Sequence, residues 1–230
     1  EKWPGGGASS AEQNWSMGDM RADYLNSPHR AFFDFESEES IGQPNWGLRK
    51  GKPEYKVMSY EWKYDRGSIN MYLQPDQWLQ SQAMQAFSAF EAYKKKRWLD
   101  YDGFAWCCLR GGPNTGTYQK PLIDYYDHAK LGFYAVKMAY QPVLACSKNV
   151  DLVYGPSDMK QLPLVIMNLG DKKRANLEID VKNLKGETVY SKTLSGITLK
   201  KGRTFEDMTL NIDKDIEPGY YAFEYTVISD

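Results

Sequence analysis

Apolar and polar positions along this chain fall into two textures that meet near residue 140. In the first, the short apolar run Ala31-Phe32-Phe33-Asp34-Phe35 ends in an acidic cluster and predicts a buried strand. From Asp76, a good N-cap, to about Trp98, residues Leu79, Ala83, Phe87, Phe90 and Lys94 recur at three- and four-residue steps. They predict a helix with one largely apolar face. The cations Lys94 to Arg97 fall in its last turns, where the helix dipole favours positive charge, and read as a solvated helix end. The run from Gly103 to Leu109 is continuously apolar, as in a strand buried on both faces. Shorter helices are predicted from Pro53 to about Asp65 and from about Asp127 to Tyr140, the latter stopped by Pro142. Residues 1–30, 40–52 and 111–116 are rich in turn formers and read as loops. Strands alternating with helices in this way are the signature of parallel βα units.

After Pro142 the period changes to two. Segments near 150–154, 162–168, 175–182, 187–194, 204–211 and 219–228 alternate apolar and polar residues. Turn signals such as Asn168-Leu169-Gly170-Asp171 and Lys185-Gly186 separate them, which predicts an antiparallel sandwich of immunoglobulin-like type. Its inner faces would be built by Leu162, Leu164, Ile166, Leu177, Ile179, Val181, Leu210, Ile212, Tyr221, Phe223 and Tyr225. The boundary falls within about 141–149, dividing residues 1–140 from 141–230. Two parallel strands cannot cover both faces of a sheet of their own. The first part therefore reads as an incomplete piece of a larger α/β domain. The opening Glu1-Lys2-Trp3-Pro4, with neither an initiator Met nor a signal-peptide pattern, points the same way.

Charge narrows the partners. Lys and Arg number 29 against 30 Asp and Glu, so no basic field exists for a phosphate backbone and nucleic acid is excluded as an expected partner. No apolar run approaches the roughly 20 residues of a membrane span. Aromatic residues make up 14% of the chain, which suits dense cores or ligands with flat apolar faces such as sugars. The three cysteines, Cys107, Cys108 and Cys146, are odd in number and two are adjacent, so they read as packing groups and not as a disulfide framework. His29 and His128 lie far apart, leaving few parts for a metal site or a Ser/His/Asp triad, and no cofactor is expected. Glu36-Ser37-Glu38-Glu39 directly follows the strand at 31–35. Local sequence leaves two readings open: a catalytic carboxylate on a strand end, or loop charges in water.

Four collinear stretches resemble glycoside hydrolase family 2, the group of β-galactosidases, β-mannosidases and exo-β-glucosaminidases. They are Phe35-Glu36-Ser37-Glu38, the helix around Gln82 to Glu91, Gly103-Phe104-Ala105-Trp106, and Lys120-Pro121-Leu122-Ile123-Asp124-Tyr125-Tyr126 with Lys130. The similarity continues through Tyr134 to Val143 and covers about residues 31–170. It implies the last strands of a (β/α)₈ TIM barrel followed by a sandwich, in a retaining enzyme that cleaves terminal β-glycosidic bonds in a periplasmic or secreted setting. It implies Glu38 as the nucleophile at the end of the seventh barrel strand, and Trp106 as the floor of the sugar pocket. The family usually follows this Glu with an aromatic and a Gly; here Glu39 and Ser40 follow, which leaves Glu36 and Glu39 as rivals. Alternation puts Glu36 and Glu38 on the face opposite Phe35 if the strand continues. Trp46 and Arg110 lie on the two implied active-face loops and are candidate substrate-binding residues. Asp124 and Lys130 match positions taken as structural, Asp124 fixing the turn before the helix and Lys130 pairing with a carboxylate beneath the barrel rim.

The acid/base Glu that the family carries after an Asn has no counterpart here, since neither Glu1 nor Glu12 follows a plausible strand. General-acid assistance is worth about 10²–10⁴-fold, so the chain is expected to be inactive alone and to need an upstream segment of the same enzyme. The contrasting reading is a non-catalytic carbohydrate-binding or scaffold module, in which the aromatics bind glycan or fill the core.

Overall fold

The computed structural model describes residues 31, 33–35, 42–49, 75–99, 101–106, 109–110, 121–124, 127–148, 153–156, 161–202, 204–212 and 215–230. The chain divides into two compact units, Glu1–Tyr140 and Gln141–Asp230.

In the first unit, strand β1 (Phe33–Phe35) and strand β2 (Gly103–Ala105) pair in parallel, with Phe33 opposite Gly103 and Phe35 opposite Ala105. A parallel pair needs a long crossover, and helix α1 (Trp78–Trp98) lies within it. Helix α2 (Leu131–Ala139) follows β2 and packs on α1. The strands are shorter and less buried than their apolar sequences predict: Phe33 is exposed, Phe104 is half-buried and Ala105 is exposed. The expected helix at 53–65 and the loop at 111–116 lie outside the described residues.

Helix α1 corrects the sequence reading in three ways. Asp76 does not cap it; Asp76 sits in a 3₁₀ turn, Pro75–Gln77, and Gln77 precedes the helix without a side-chain cap. The apolar stripe faces outward, with Leu79, Ala83 and Phe87 exposed. The buried face carries Ser81, Gln82, Gln85, Ala89, Ala92 and Tyr93 instead. Ser81 and Gln82 meet backbone groups, whose N–H and C=O need polar partners once water is excluded, while Ala89 and Tyr93 pack on α2. The cation run is not solvated either: Lys94, Lys96 and Arg97 are all buried. Lys94 pairs with Glu91 at 2.6 Å, and Lys96 sits 5.3 Å from the centre of the Tyr93 ring. Arg97 Nη1 donates to the carbonyl of Ala139 at 2.6 Å, satisfying an orphan acceptor where α2 ends.

A small aromatic core completes this unit. Tyr93 meets Phe104 edge-on at 4.7 Å, and Tyr140 stacks on Phe104 at 5.2 Å while its hydroxyl donates to the Phe104 carbonyl at 2.7 Å. Ala89, Leu122, Val136 and Ala139 pack around them.

The second unit is a β-sandwich of two three-stranded antiparallel sheets. One has the order β3 (Val143–Ser147), β4 (Gln161–Asn168), β7 (Thr204–Asn211). The other has the order β6 (Thr188–Thr198), β5 (Arg174–Asn183), β8 (Tyr221–Ser229). Leu162, Leu164, Ile166, Leu177, Ile179, Val181, Leu210 and Ile212 form the shared core, with Tyr221, Phe223 and Tyr225 packed against it. Strand β3 falls where the sequence placed the domain boundary and no strand, while residues 153–156 belong to no strand. Central β4 is buried on both faces, Val165 and Met167 included, whereas β5 alternates cleanly. Two side chains set the turns. Buried Asn168 donates to the carbonyls of Lys172 and Lys200 and accepts from Gly170 N–H. Asn183 Oδ1 accepts from Lys185 and Glu187 N–H around Gly186, whose φ of 80° favours glycine.

Ile179 is fully buried and Glu178 beside it is exposed. Chemical denaturation is expected to show Ile179→Ala losing about 2–5 kcal/mol and Glu178→Ala staying within about 0.5 kcal/mol of the parent. A pH dependence follows from Tyr140, whose pKa is raised by burial, with an opposing contribution from the Tyr93 hydroxyl. Folding holds this proton more tightly, so its contribution is complete below the unfolded value of about 10 and is lost as pH rises through the higher folded value. The unfolding midpoint should fall above about pH 10, and Tyr140→Phe should flatten that fall.

Candidate active site

Because β1 and β2 are parallel and in register, their C-terminal ends lie side by side, and the connections that leave them emerge on the same edge. This is the edge at which α/β folds place ligands. Glu38 follows β1 by three positions; it lies outside the described residues, as do its rivals Glu36 and Glu39. Trp106 immediately follows β2. Its ring is half-buried and stacks on Tyr93 at 6.1 Å, so one face is backed by a fully buried aromatic.

The two connections are tied together by a buried polar clamp on α1. Gln43 N–H donates to Ser81 Oγ at 3.0 Å, and its carbonyl accepts from Gln82 Nε2 at 2.7 Å. The other end of the same amide, Gln82 Oε1, accepts from the N–H of Leu131, the first residue of α2, at 3.1 Å. One glutamine thus satisfies a loop carbonyl and an orphan helix N–H together. Lys130, buried, donates from Nζ to the Gly42 carbonyl at 2.7 Å. Gln85 lies between two glycines: an added Cβ would come within 2.3 Å of its Oε1 at Gly42 and 2.9 Å at Gly132. A side chain at either position would force the Gln85 amide to move.

Trp46 opens a 3₁₀ turn, Trp46–Arg49, immediately after this clamped segment. Asn45 sets the turn by accepting from Gly47 N–H through Oδ1 at 3.0 Å, and from Leu48 N–H through its carbonyl at 3.2 Å.

Beyond β2 the chain does not enter a helix at Asp127. Residues 122–124 and 127–130 run antiparallel, with Ile123 bridging Arg110 in parallel and Ala129 antiparallel. Lys130 N–H donates to the Leu122 carbonyl at 2.9 Å. Asp124, buried, organises the turn: Oδ1 accepts from His128 N–H at 3.1 Å and Oδ2 faces His128 Nδ1 at 3.3 Å. Asp127, with φ of 65°, occupies the left-handed region at the tip, and Arg110 grips its carboxylate through Nε at 2.8 Å and Nη2 at 2.9 Å. The helix starts late because this antiparallel pairing uses the backbone groups that a longer first turn would need.

The sequence reading anticipated Asp124 as a turn-fixing residue and missed both His128 and the glutamine clamp. The four-residue separation of Asp124 and His128 was a usable signal. So was the polar set Ser81, Gln82 and Gln85 at helical spacing, which marks a second helix face. Among the described residues no group of three or more His, Cys, Asp or Glu could hold a metal ion, and no helix is long and apolar enough to cross a membrane.

No family model and no curated protein sequence matches the chain. Solved structures do match in fold. A β-D-mannosidase from Dictyoglomus thermophilum aligns over 91% of this chain and 27% of its own, at 15% identity and a TM-score of 0.58. An exo-β-D-glucosaminidase solved for a study of its inhibition aligns over 85% of this chain and 26% of its own, at 15% identity and a TM-score of 0.52. The exo-chitosanase of Amycolatopsis orientalis, in complex with a nitrophenyl glucosaminide, aligns over 70% and 18%, at 15% identity and a TM-score of 0.50. The chain thus spans about a fifth to a quarter of the length of these glycosidases. It shares their fold over that part.

The glycine–glutamine contact yields a test. Gly42→Ala is expected to cost about 1–3 kcal/mol by overpacking against Gln85, and Gln85→Ala in that background should recover part of the loss. A double-mutant cycle by thermal denaturation measures the coupling; strictly additive losses would show that the two residues do not meet.

Proposed function

We propose that this chain is the C-terminal part of a retaining β-glycosidase of the glycoside hydrolase family 2 type: the last βα units of a (β/α)₈ barrel, then an immunoglobulin-like sandwich. The observation that carries the reading is the in-register parallel pair, since the segments bearing Glu38 and Trp106 leave adjacent strand ends. The shared fold with a β-D-mannosidase supports it. So do the outward apolar residues of the helices, Leu79 and Phe87 on α1 and Leu131, Tyr134 and Met138 on α2. Neighbouring barrel helices from an upstream segment would cover such surface.

In this reading Glu38 attacks the anomeric carbon of a terminal β-linked sugar and forms a covalent glycosyl-enzyme. A Glu from the upstream segment protonates the departing oxygen, then activates the water that releases the sugar with its configuration retained. Trp106, stiffened by Tyr93, offers the apolar platform for the sugar ring. Trp46 and Arg110 stand on the flanking connections as substrate contacts.

The test uses nitrophenyl β-glycosides. The full-length protein is expected to hydrolyse one of them, with the first-formed product β by NMR, and to lose that activity in Glu38→Gln. The 230-residue chain alone is expected to show no turnover. Full activity in Glu38→Gln, or robust turnover by the short chain, would overturn the assignment.

A further inference from the structure

Charge is nearly balanced over the whole chain, yet it is segregated along the sandwich. At one end, Lys172 and Lys173 lie in the turn that leads into β5 at Arg174, and Lys200 and Lys201 lie in the turn between β6 and β7. The two turns are laced together. Leu199 N–H donates to the Lys173 carbonyl at 2.8 Å, and Gly202 N–H to the Gly170 carbonyl at 2.6 Å. The single amide of Asn168 donates to the carbonyls of both Lys172 and Lys200. These cations therefore share one fixed rim, where Lys172 is half-buried and the others are exposed. Two acids stand among them. Asp171 is exposed, and Asp230 accepts the N–H groups of Lys173 and Arg174 through Oδ1 and the Lys172 ammonium through its backbone carbonyl. Lys173, Arg174 and Lys201 make no side-chain ion pair with a described residue. At the opposite end the balance among the described residues is reversed, with exposed Glu187, Asp215 and Glu217 against Lys185.

We propose that this cationic rim of the sandwich is a docking surface for an acidic polysaccharide, a glycan whose repeating units carry carboxylate or sulfate groups. A small anion needs an enclosed cradle, whereas a long polyanion meets several exposed cations at once, and weak contacts add along one chain. Lysine ammonium groups tolerate irregular charge spacing, and the planar fork of Arg174 matches a carboxylate or sulfate. Nucleic acid fits less well. Neither turn carries an aromatic side chain to stack a base. Removing these cations from a chain of net charge −1 leaves the remainder acidic, which repels a duplex extending past the rim. Leu169, the exposed apolar side chain beside the rim, gives too little surface to anchor in a bilayer. The choice of a glycan rests on the glycosidase reading, since a module joined to such an enzyme raises its effective concentration near the polymer.

The experiment measures binding without turnover, by biolayer interferometry of the full-length protein on immobilised alginate, dextran sulfate and neutral dextran. Alginate carries carboxylates and dextran sulfate carries sulfates, so the two arms identify the anionic group. Duplex DNA is run as a competing polyanion. The parent is expected to bind at least one acidic glycan, to ignore neutral dextran, and to weaken as salt rises. Affinity should fall about tenfold in the triple variant Lys173→Gln, Arg174→Gln, Lys201→Gln. These side chains are exposed, so its thermal unfolding should match the parent. The triple variant Lys137→Gln, Lys185→Gln, Lys192→Gln removes the same charge away from the rim and should stay within about twofold of the parent. Lys173→Arg with Lys201→Arg keeps the charge and should keep the affinity. No binding to either acidic glycan, equal losses in the two triple variants, or tighter binding to DNA than to both glycans overturns the docking surface. None of these outcomes involves Glu38, so the glycosidase reading stands or falls separately on nitrophenyl glycoside turnover.

Discussion

Much of the first unit depends on one side-chain amide, that of Gln82. Its nitrogen donates to the connection after β1 and its oxygen accepts from the first N–H of α2. A buried amide with both ends engaged ties two backbones to one helix face, and losing either partner would leave a desolvated group at a cost of about 1–3 kcal/mol. Gln85 extends the same face. An added side chain at either glycine it touches would force its amide to shift, so Gly42 and Gly132 allow the close approach seen here. Lys130 closes the arrangement from the second connection to the first. The two connections leaving the parallel strands are therefore fixed relative to each other by polar contacts, not by apolar packing.

Such an arrangement suits a site. Apolar packing tolerates sliding, whereas hydrogen bonds to backbone groups specify position and direction. The aromatic group beneath has the complementary part: Tyr93, Phe104 and Tyr140 brace β2, and the stacked Tyr93 gives Trp106 a fixed base. Rigidity at the strand ends is what the proposed carboxylate and sugar platform would need, because a reacting group displaced by about 1 Å can lose about 10²-fold in rate.

The sandwich is governed by different physics. Its strands are long, its core is aliphatic, and its turns are set locally by Asn168, Asn183 and glycines. Little there depends on a single polar group.

What the sequence determined by itself is whatever repeats with the period of one element. The strands from β5 to β8 were legible because one face of each meets the core and the other meets water or rim, so Leu177, Ile179 and Val181 alternate with polar neighbours. The length of α1 and the parallel relation of β1 and β2 were legible from the order of segments and the crossover they require. Strand β3 was not, because five residues after a proline with Ala and Cys at their centre carry no period. Only the tertiary structure decided which face of α1 turns inward. Hydrophobicity points to Leu79, Ala83 and Phe87, but the first half of the buried face meets carbonyls and N–H groups, and these select Ser81 and Gln82. The same holds for the turn before α2: the spacing of Asp124 and His128 makes their contact possible, but the burial of that carboxylate is a property of the assembled fold.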